Sequence, residues 1–145
     1  MAFHKILIAV DSEPIAVRAV DVGAELASAL RAEIALINVV ESALGYPADT
    51  GGVPPGEILA LAKQDAKKLI SNLRRHLSAE TIVMELVPVG SPATEIVRAA
   101  NDWSADMIVL GSHGRKGMQR ALLGSVAEAV MRQARCPVLV IRASE

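Results

Sequence analysis

Aromatic residues are nearly absent from this sequence. Phenylalanine, tyrosine and tryptophan occur once each and make up 2% of the 145 residues, although 52% of the residues are hydrophobic. The core must therefore be built from valine, isoleucine, leucine and alanine, the side chains that fill a parallel sheet covered by helices. The length suits one ordinary domain, so we expect a single domain over residues 1–145.

Cysteine and net charge are also scarce. Cys136 is the only cysteine, which excludes an internal disulfide and a metal cage of several cysteines. Its apolar neighbours predict a small buried residue rather than a reactive thiol. The formal net charge of −1 provides no overall field to attract nucleic acid or an anionic membrane, so we expect neither as a partner.

Long hydrophobic runs are missing as well. The apolar runs end well before the roughly 20 residues that a membrane span requires. The N-terminus shows no cleavable signal pattern. We therefore expect a cytoplasmic protein.

Five strand-like segments alternate with four segments whose apolar residues recur at helical spacing. The strand-like segments are 5–10, 33–40, 81–89, 106–111 and 137–142. The helical segments are 15–30, 58–77, 93–100 and 126–134. This alternation predicts an α/β fold, with an open, mainly parallel sheet, right-handed crossovers and helices on both faces. Ser91 before Pro92, and Ser125 with Glu128, predict two helix caps. The long connection 41–56 is predicted to be irregular.

Ligands in open α/β sheets bind outside the carboxyl ends of the strands, where the strand order reverses. Asp11 directly follows the first strand, and Gly111 ends the fourth. If these two strands are neighbours, the aspartate faces the glycine across a crevice. Asp11 is then either a turn residue or part of a ligand site, and its position favours the ligand site.

The segment from Gly111 to Glu128 is rich in glycine, but it contains neither of the two familiar phosphate loops. It has Gly111 and Gly114, then nine residues, then Gly124 and Ser125 at the start of a predicted helix. Glycine permits close backbone approach, and free N–H groups at a helix N-terminus bind anions. The pattern suits a ribose and phosphates, and it suits equally a strand end followed by a helix cap.

These residues show a family resemblance. The segment IVLGSHGRKGMQRALLGSVAEAVMRQARCPVLVI resembles the C-terminal half of the universal stress protein family, in the branch that binds ATP through G-x-x-G-x9-G-[ST]. The residues that match this motif without a gap are Gly111, Gly114, Gly124 and Ser125. KILIAVDSEP resembles the family's first strand and following aspartate, so the resemblance covers nearly the whole chain. It implies a Rossmann-like fold of the adenine nucleotide alpha hydrolase type, with five parallel strands in the order 3-2-1-4-5.

The resemblance also implies a set of nucleotide contacts. Ala9, Val10 and Asp11 would line the pocket, with Asp11 near the ribose or a bound metal ion. The base would contact Val39 and Val40, partly through backbone groups, and Leu110. Gly111 and Gly114 would approach the ribose and phosphates, while Gly124, Ser125 and Val126 would bind the phosphates beside His113.

Other polar residues of this segment have two interpretations. Arg115, Lys116 and Arg120 either neutralise phosphate or form a solvated surface. His113 is expected to form hydrogen bonds rather than to bind a metal ion, because no second histidine or acid lies at ligand spacing near it.

Three functions remain open. In the first, ATP with Mg²⁺ or Mn²⁺ acts as a ligand that switches the conformation or the partners of a stress-response protein. In the second, the protein is an ATPase; few groups could position water or stabilise the transition state, so we expect turnover below about one per second and assign no catalytic residue. In the third, the protein is a scaffold that uses no nucleotide, against which the intact glycine motif argues.

The last strand would leave an apolar edge open, and uncovered edges tend to recruit a partner. Members of the family commonly pair through this strand. The resemblance therefore implies a homodimer joined across Val138, Leu139, Val140 and Ile141.

Overall fold

Strands and helices alternate along the chain as the sequence predicts. The structure, a computed structural model, describes residues 2–41, 52, 54–113 and 123–143. Its strands are β1 (Lys5–Ala9), β2 (Glu33–Ile37), β3 (Val40–Glu41), β4 (Val83–Leu86), β5 (Val89–Gly90), β6 (Met107–Gly111) and β7 (Val138–Ile141). Its helices are α1 (Ile15–Leu30), α2 (Pro55–Arg74), α3 (Pro92–Trp103) and α4 (Ser125–Gln133). None of these helices is long and apolar enough to cross a membrane.

Five parallel strands form the main sheet in the order β4-β2-β1-β6-β7. Counted by the five predicted segments, this order is 3-2-1-4-5, so the expected fold is confirmed. Two predicted strands are interrupted, and the short strands β3 and β5 pair in a sheet of their own. Pro88 lies at the interruption and has no N–H to continue the pairing of β4 with β2.

The central strands are apolar on both faces because helices cover both. On one face Ile8 packs in a cluster with Ile70 of α2. On the other face Leu7 packs in a cluster with Ile96 of α3 and Val130 of α4. All but Ile96 are fully buried, and that side chain is only 5% exposed. The predicted helices on both faces are therefore confirmed.

The structure agrees with the position of one predicted helix cap and contradicts the other. Helix α3 begins at Pro92 directly after Ser91, as predicted, although the Ser91 side chain makes no capping hydrogen bond within the described part of the chain. The capping box at Ser125 is wrong. Gly124 is the cap residue of α4, and Ser125 is already the first helical residue.

The connection 41–56 is less irregular at its ends than the sequence predicts. Glu41 belongs to β3, and α2 begins at Pro55 rather than at Ile58. Proline fits the first helical position because its missing N–H would have no helical partner there. Residues 42–51 and 53 lie outside the described residues.

A carboxylate joins β1 to the start of β6 at the amino edge of the sheet. Asp106 accepts hydrogen bonds from the backbone N–H groups of His4 at 2.7 Å and Lys5 at 3.0 Å. The Asp106 N–H donates in return to the Lys5 carbonyl at 2.7 Å. Lys5 Nζ also donates to the Trp103 carbonyl at 3.2 Å and lies 5.5 Å from the centre of the indole ring. The Asp106 hydrogen bonds align β1 with β6, and the Lys5 side chain holds the end of α3 beside β1.

We expect Asp106→Ala to lower the free energy of unfolding by about 1–3 kcal/mol, because two backbone donors lose a charged acceptor. Urea unfolding would measure the change. Asp21→Ala is the control, since among the described residues the exposed Asp21 carboxylate forms no ion pair other than the one with His76, at 3.9 Å. The control should change stability by about 0.5 kcal/mol or less. Equal midpoints for Asp106→Ala and the wild type would show that water replaces the carboxylate without loss.

Candidate functional site

The candidate site lies at the carboxyl edge of the main sheet, between the ends of β1 and β6. These strands are parallel neighbours, with Ile8 opposite Val109. The strand order reverses between them, because β2 and β4 lie on one side and β7 on the other. Asp11 and Gly111 therefore emerge at the same edge, as the switch-point argument predicts.

Asp11 shapes the turn between β1 and α1. Its Oδ1 accepts a hydrogen bond from the Glu13 N–H at 3.0 Å, which is the Asx-turn geometry. Just before it, the N–H of the buried Val10 donates to the Ile37 carbonyl at 2.9 Å and continues the pairing with β2. The turn role of Asp11 is therefore real. It is compatible with a ligand role, because each carboxylate oxygen accepts more than one hydrogen bond.

Ser112 joins three elements at this edge. Its N–H donates to the Ile141 carbonyl of β7 at 2.7 Å, and its carbonyl accepts from the Gly124 N–H at 2.6 Å. Ser112 is only 6% exposed. The start of α4 is thus held against the ends of β6 and β7. Sequence reasoning missed this residue, because backbone hydrogen bonds leave no signal in residue type.

The N-terminus of α4 presents backbone donors at the same edge. Glu128 N–H is the first to bond within the helix, to the Gly124 carbonyl at 3.0 Å. The N–H groups of Ser125, Val126 and Ala127 therefore have no partner in the helical ladder. No described side chain caps this end. The arrangement offers free donors and the positive end of the helix dipole to an anion.

Gly111 has a packing role that the sequence did not indicate. A Cβ atom at this position would lie 2.7 Å from Cγ2 of Ile15, at the start of α1. Real side chains do not approach so closely, so α1 can lie against the end of β6 only because residue 111 lacks a side chain. This contact supports the structural explanation of Gly111 and leaves a further ligand role open.

The backbone N–H and C=O groups of Val39 face the crevice. The N–H groups on either side of it, those of Asn38 and Val40, donate to the carbonyls of Leu86 at 3.0 Å and Pro88 at 2.8 Å. In an extended chain, the N–H and C=O groups of one residue point to one side and those of the next residue to the other. The N–H and C=O groups of Val39 therefore point toward the β1 side, where β1 has already ended at Ala9. This leaves a donor and an acceptor on the crevice side.

Glu95 supports the short sheet that carries Val40. Gly90, at the end of β5, has a positive φ of 157°, and a Cβ there would lie 2.8 Å from Glu95 Cγ. Glu95 is 8% exposed and pairs with Arg98 at 2.8 Å. Since β5 pairs with β3, with Val40 opposite Val89, Glu95 packs against the strand that neighbours Val40. Sequence analysis did not single out either Gly90 or Glu95.

The remaining predicted site residues pack in the core, lie beside Ser112 or fall outside the described residues. Ala9 and Leu110 are 8% and 4% exposed and pack in the core beneath α3 and α4. His113 Nδ1 lies 3.1 Å from Ser112 Oγ, a hydrogen bond of the kind expected for this ring. The described residues contain no group of three or more potential metal ligands. Gly114, Arg115, Lys116 and Arg120 lie outside the described residues.

Cys136 lies at the opposite edge, just before β7, where it is half-buried against the core cluster of α3 and α4. Burial raises the pKa of its thiol, and the Asp106 carboxylate raises it further. We expect the folded chain to react with iodoacetamide severalfold more slowly than the urea-unfolded chain near about pH 8, because less thiolate is present. The difference should shrink as the pH rises through the folded-state pKa. Equal rates near neutral pH would contradict this.

Comparison with known proteins identifies a family. The model of the universal stress protein family matches residues 2–142. Universal stress protein MJ0531 of Methanocaldococcus jannaschii is 35% identical over 142 residues, which cover 97% of this chain and 82% of that protein. The solved structure of universal stress protein UspA from Lactobacillus plantarum has a TM-score of 0.83 at 26% identity, covering 98% of this chain and 99% of that chain. The universal stress protein from Archaeoglobus fulgidus in complex with dAMP has a TM-score of 0.66 at 26% identity, covering 98% and 100%.

Proposed function

Since the chain belongs to the universal stress protein family, we propose that it binds ATP at the carboxyl ends of β1 and β6 and acts as a nucleotide-dependent regulatory module of the stress response. The observation that carries this proposal is the N-terminus of α4, which Ser112 holds beside the end of β6 and which no side chain of the described residues caps. The complex of the Archaeoglobus fulgidus relative with dAMP supports an adenine nucleotide as the ligand class.

Each part of the nucleotide has a counterpart in the site. The phosphates would bind the N–H groups at the start of α4, from Ser125 to Ala127. The ribose would lie between Asp11 and Gly111. The Asp11 carboxylate also suits a Mg²⁺ or Mn²⁺ ion carried by the phosphates, since such ions prefer oxygen ligands.

The Val39 backbone favours adenine over guanine. Its N–H would donate to adenine N1, and its carbonyl would accept from the adenine amino group. Guanine presents the reverse pattern, an acceptor at O6 and a donor at N1. A guanine in the same position would leave both backbone groups unpaired, which costs about 1–3 kcal/mol for each buried group.

Calorimetric titration of the nucleotide-free chain with ATP and Mg²⁺ tests the proposal. We expect micromolar ATP binding, with GTP weaker by about tenfold or more. Binding of ATP and GTP with equal affinity would contradict the assignment of the base to Val39. A well-folded chain that binds neither would mean that the glycines serve packing and turns, and the nucleotide-free scaffold would become the leading function.

We also propose that β7 joins two copies of the chain. β7 is an edge strand of the main sheet. The Pro137 carbonyl accepts a hydrogen bond from Ile108 of β6, and the Ile141 carbonyl accepts one from Ser112, which follows β6. Because successive residues of a strand direct their backbone groups to opposite sides, the N–H and C=O groups of Val138 and Val140 point away from β6. These groups are available to the same strand of a second copy.

Light scattering at micromolar concentration should therefore give the mass of a dimer, and Val140→Pro should give the mass of a monomer. The proline removes an outward N–H without breaking a bond to β6. Circular dichroism would establish that the variant keeps its fold. A monomeric wild type would contradict the dimer, and a dimeric variant would place its interface elsewhere.

A further inference from the structure

Ser112 and Glu95 are the buried polar residues of the described part of the chain, at 6% and 8% exposed. Glu95 forms an ion pair. The hydroxyl of Ser112 has one hydrogen-bond partner among the described residues, His113 Nδ1 at 3.1 Å. The backbone N–H and C=O groups of Ser112 already bond to Ile141 and Gly124. The hydroxyl is therefore not needed to hold these elements together, and its contact with the imidazole ring requires a separate explanation.

The contact shows that the chain turns at Ser112. In an extended strand, neighbouring side chains point to opposite faces of the sheet. Leu110 packs in the core cluster of α3 and α4, and Gly111 lies against Ile15 of α1, so alternation places the Ser112 side chain on the α4 face. The His113 side chain would point to the α1 face if the strand continued. Instead the chain bends at Ser112, and the hydrogen bond holds the ring on the α4 side.

This hydrogen bond also determines which ring nitrogen of a neutral His113 carries the proton. If Nδ1 donated to Ser112 Oγ, the buried hydroxyl proton would have no acceptor among the described residues, and an unpaired buried donor costs about 1–3 kcal/mol. If the hydroxyl donates to Nδ1, that cost is absent and the ring proton lies on Nε2. The two nitrogens point in nearly opposite directions from the ring. Nε2 therefore presents an N–H donor that faces away from the buried hydroxyl.

The same ring lies beside the start of α4. The Ser112 carbonyl, which directly precedes the His113 N–H, accepts a hydrogen bond from the Gly124 N–H at 2.6 Å. We propose that Ser112 is a positioning residue of the nucleotide site. Its hydroxyl fixes the His113 ring so that the Nε2–H group donates to a phosphate of the ligand, beside the N–H groups of Ser125 to Ala127. This inference rests on the proposed function, since it needs a phosphate at the start of α4.

Nitrogen NMR of the imidazole rings in the nucleotide-free chain tests the hydrogen bond. The sequence has three histidines, so His4 and His76 serve as internal references. At about pH 8, where an ordinary imidazole is neutral, we expect His113 to carry its proton on Nε2. Ser112→Ala should shift the Nδ1 resonance of His113 and leave the other two rings unchanged. A proton on Nδ1 in the wild type, or an unshifted Nδ1 resonance in the variant, would overturn the proposal.

Parallel titrations with ATP and adenosine test the role in binding, because adenosine has the same base and ribose but no phosphate. Calorimetry would follow ATP, and NMR would follow the weaker binding of adenosine. Ser112→Ala should weaken ATP by about threefold to tenfold and leave adenosine unchanged. In a His113→Ala background the same substitution should have no further effect on ATP. Ser28→Ala is the control, since it removes an exposed hydroxyl from the last turn of α1, at the opposite edge of the sheet, and should not change ATP binding.

The outcomes separate this inference from the proposed function. Equal weakening of ATP and adenosine by Ser112→Ala would make the hydroxyl a purely structural group. An unchanged ATP affinity, or a further loss in the double variant, would show that Ser112 does not act through His113. Each of these results would overturn the inference while ATP binding by the wild type still stands. A wild type that binds neither ligand would overturn the proposed function and the phosphate donor together, whatever the NMR spectra show of the hydrogen bond.

Discussion

Ser125→Asp is expected to weaken ATP binding by about tenfold or more while it raises the thermal midpoint of the protein. Ser125 is exposed and is the first residue of α4, whose N-terminus has no capping side chain among the described residues. A carboxylate there interacts favourably with the helix dipole, by about 0.3–1 kcal/mol. The same charge would repel the phosphates and compete for their N–H donors. Calorimetry and thermal unfolding of the same sample measure the two effects.

The opposite signs make this substitution diagnostic, because a damaged protein would lose stability and affinity together. Thr94→Asp is the matched control. Thr94 is an exposed residue in the first turn of α3, so the control adds the same charge at the start of another helix. It should leave the ATP affinity unchanged. Wild-type affinity in Ser125→Asp would show that the phosphates do not bind at α4.

Gly111→Ala is expected to destabilise the protein by about 1–3 kcal/mol, the usual cost of overpacking. The new methyl group would lie 2.7 Å from Ile15 Cγ2. That atom is attached to the branched Cβ of Ile15, so it cannot move away without a change of rotamer. In an Ile15→Ala background the obstructing atom is absent, and Gly111→Ala should cost about 0.5 kcal/mol or less.

Urea unfolding of the two single variants and the double variant gives the coupling energy between the residues. We expect it to be about 1 kcal/mol or more, since the two positions are in direct contact. Additive effects would contradict the packing explanation of Gly111. ATP titration of the double variant then separates the two roles of the glycine. Affinity equal to that of Ile15→Ala would assign Gly111 to packing alone, and a further loss would show that the backbone also approaches the ligand.

Most of the fold could be predicted because its signals are local. The segment containing Ile6, Leu7 and Ile8 is apolar at every position, which is typical of a strand covered on both faces. Regular alternation with helical segments then permits few topologies, since crossovers between parallel strands are right-handed. The division of the third predicted strand was less apparent, although Pro88 and its missing N–H were visible in the sequence. The valines of this segment favoured one continuous strand more strongly than the single proline indicated a break.

The sequence predicted where the residues of the candidate site lie in the fold, but not the contacts that hold them there. The sequence placed Asp11 and Gly111 at neighbouring strand ends, and the structure brings them to the same edge. It predicted Ser125 as a cap, whereas Gly124 holds that position and bonds to Ser112. Which of two adjacent residues caps a helix depends on where the preceding chain is anchored. Here that anchor is a backbone hydrogen bond to a residue twelve positions earlier.

The sequence by itself determined the order of strands and helices, the apolar character of both sheet faces and the sheet edge that Asp11 and Gly111 share. Each of these follows from residue type, spacing or chain order. Only the tertiary structure decided that Ser112 joins β7 to α4 and that Gly111 makes room for Ile15. These contacts join residues far apart in the chain, some through backbone atoms common to all residue types. They leave no local pattern, because the packing of α1 and α4 on the sheet creates them.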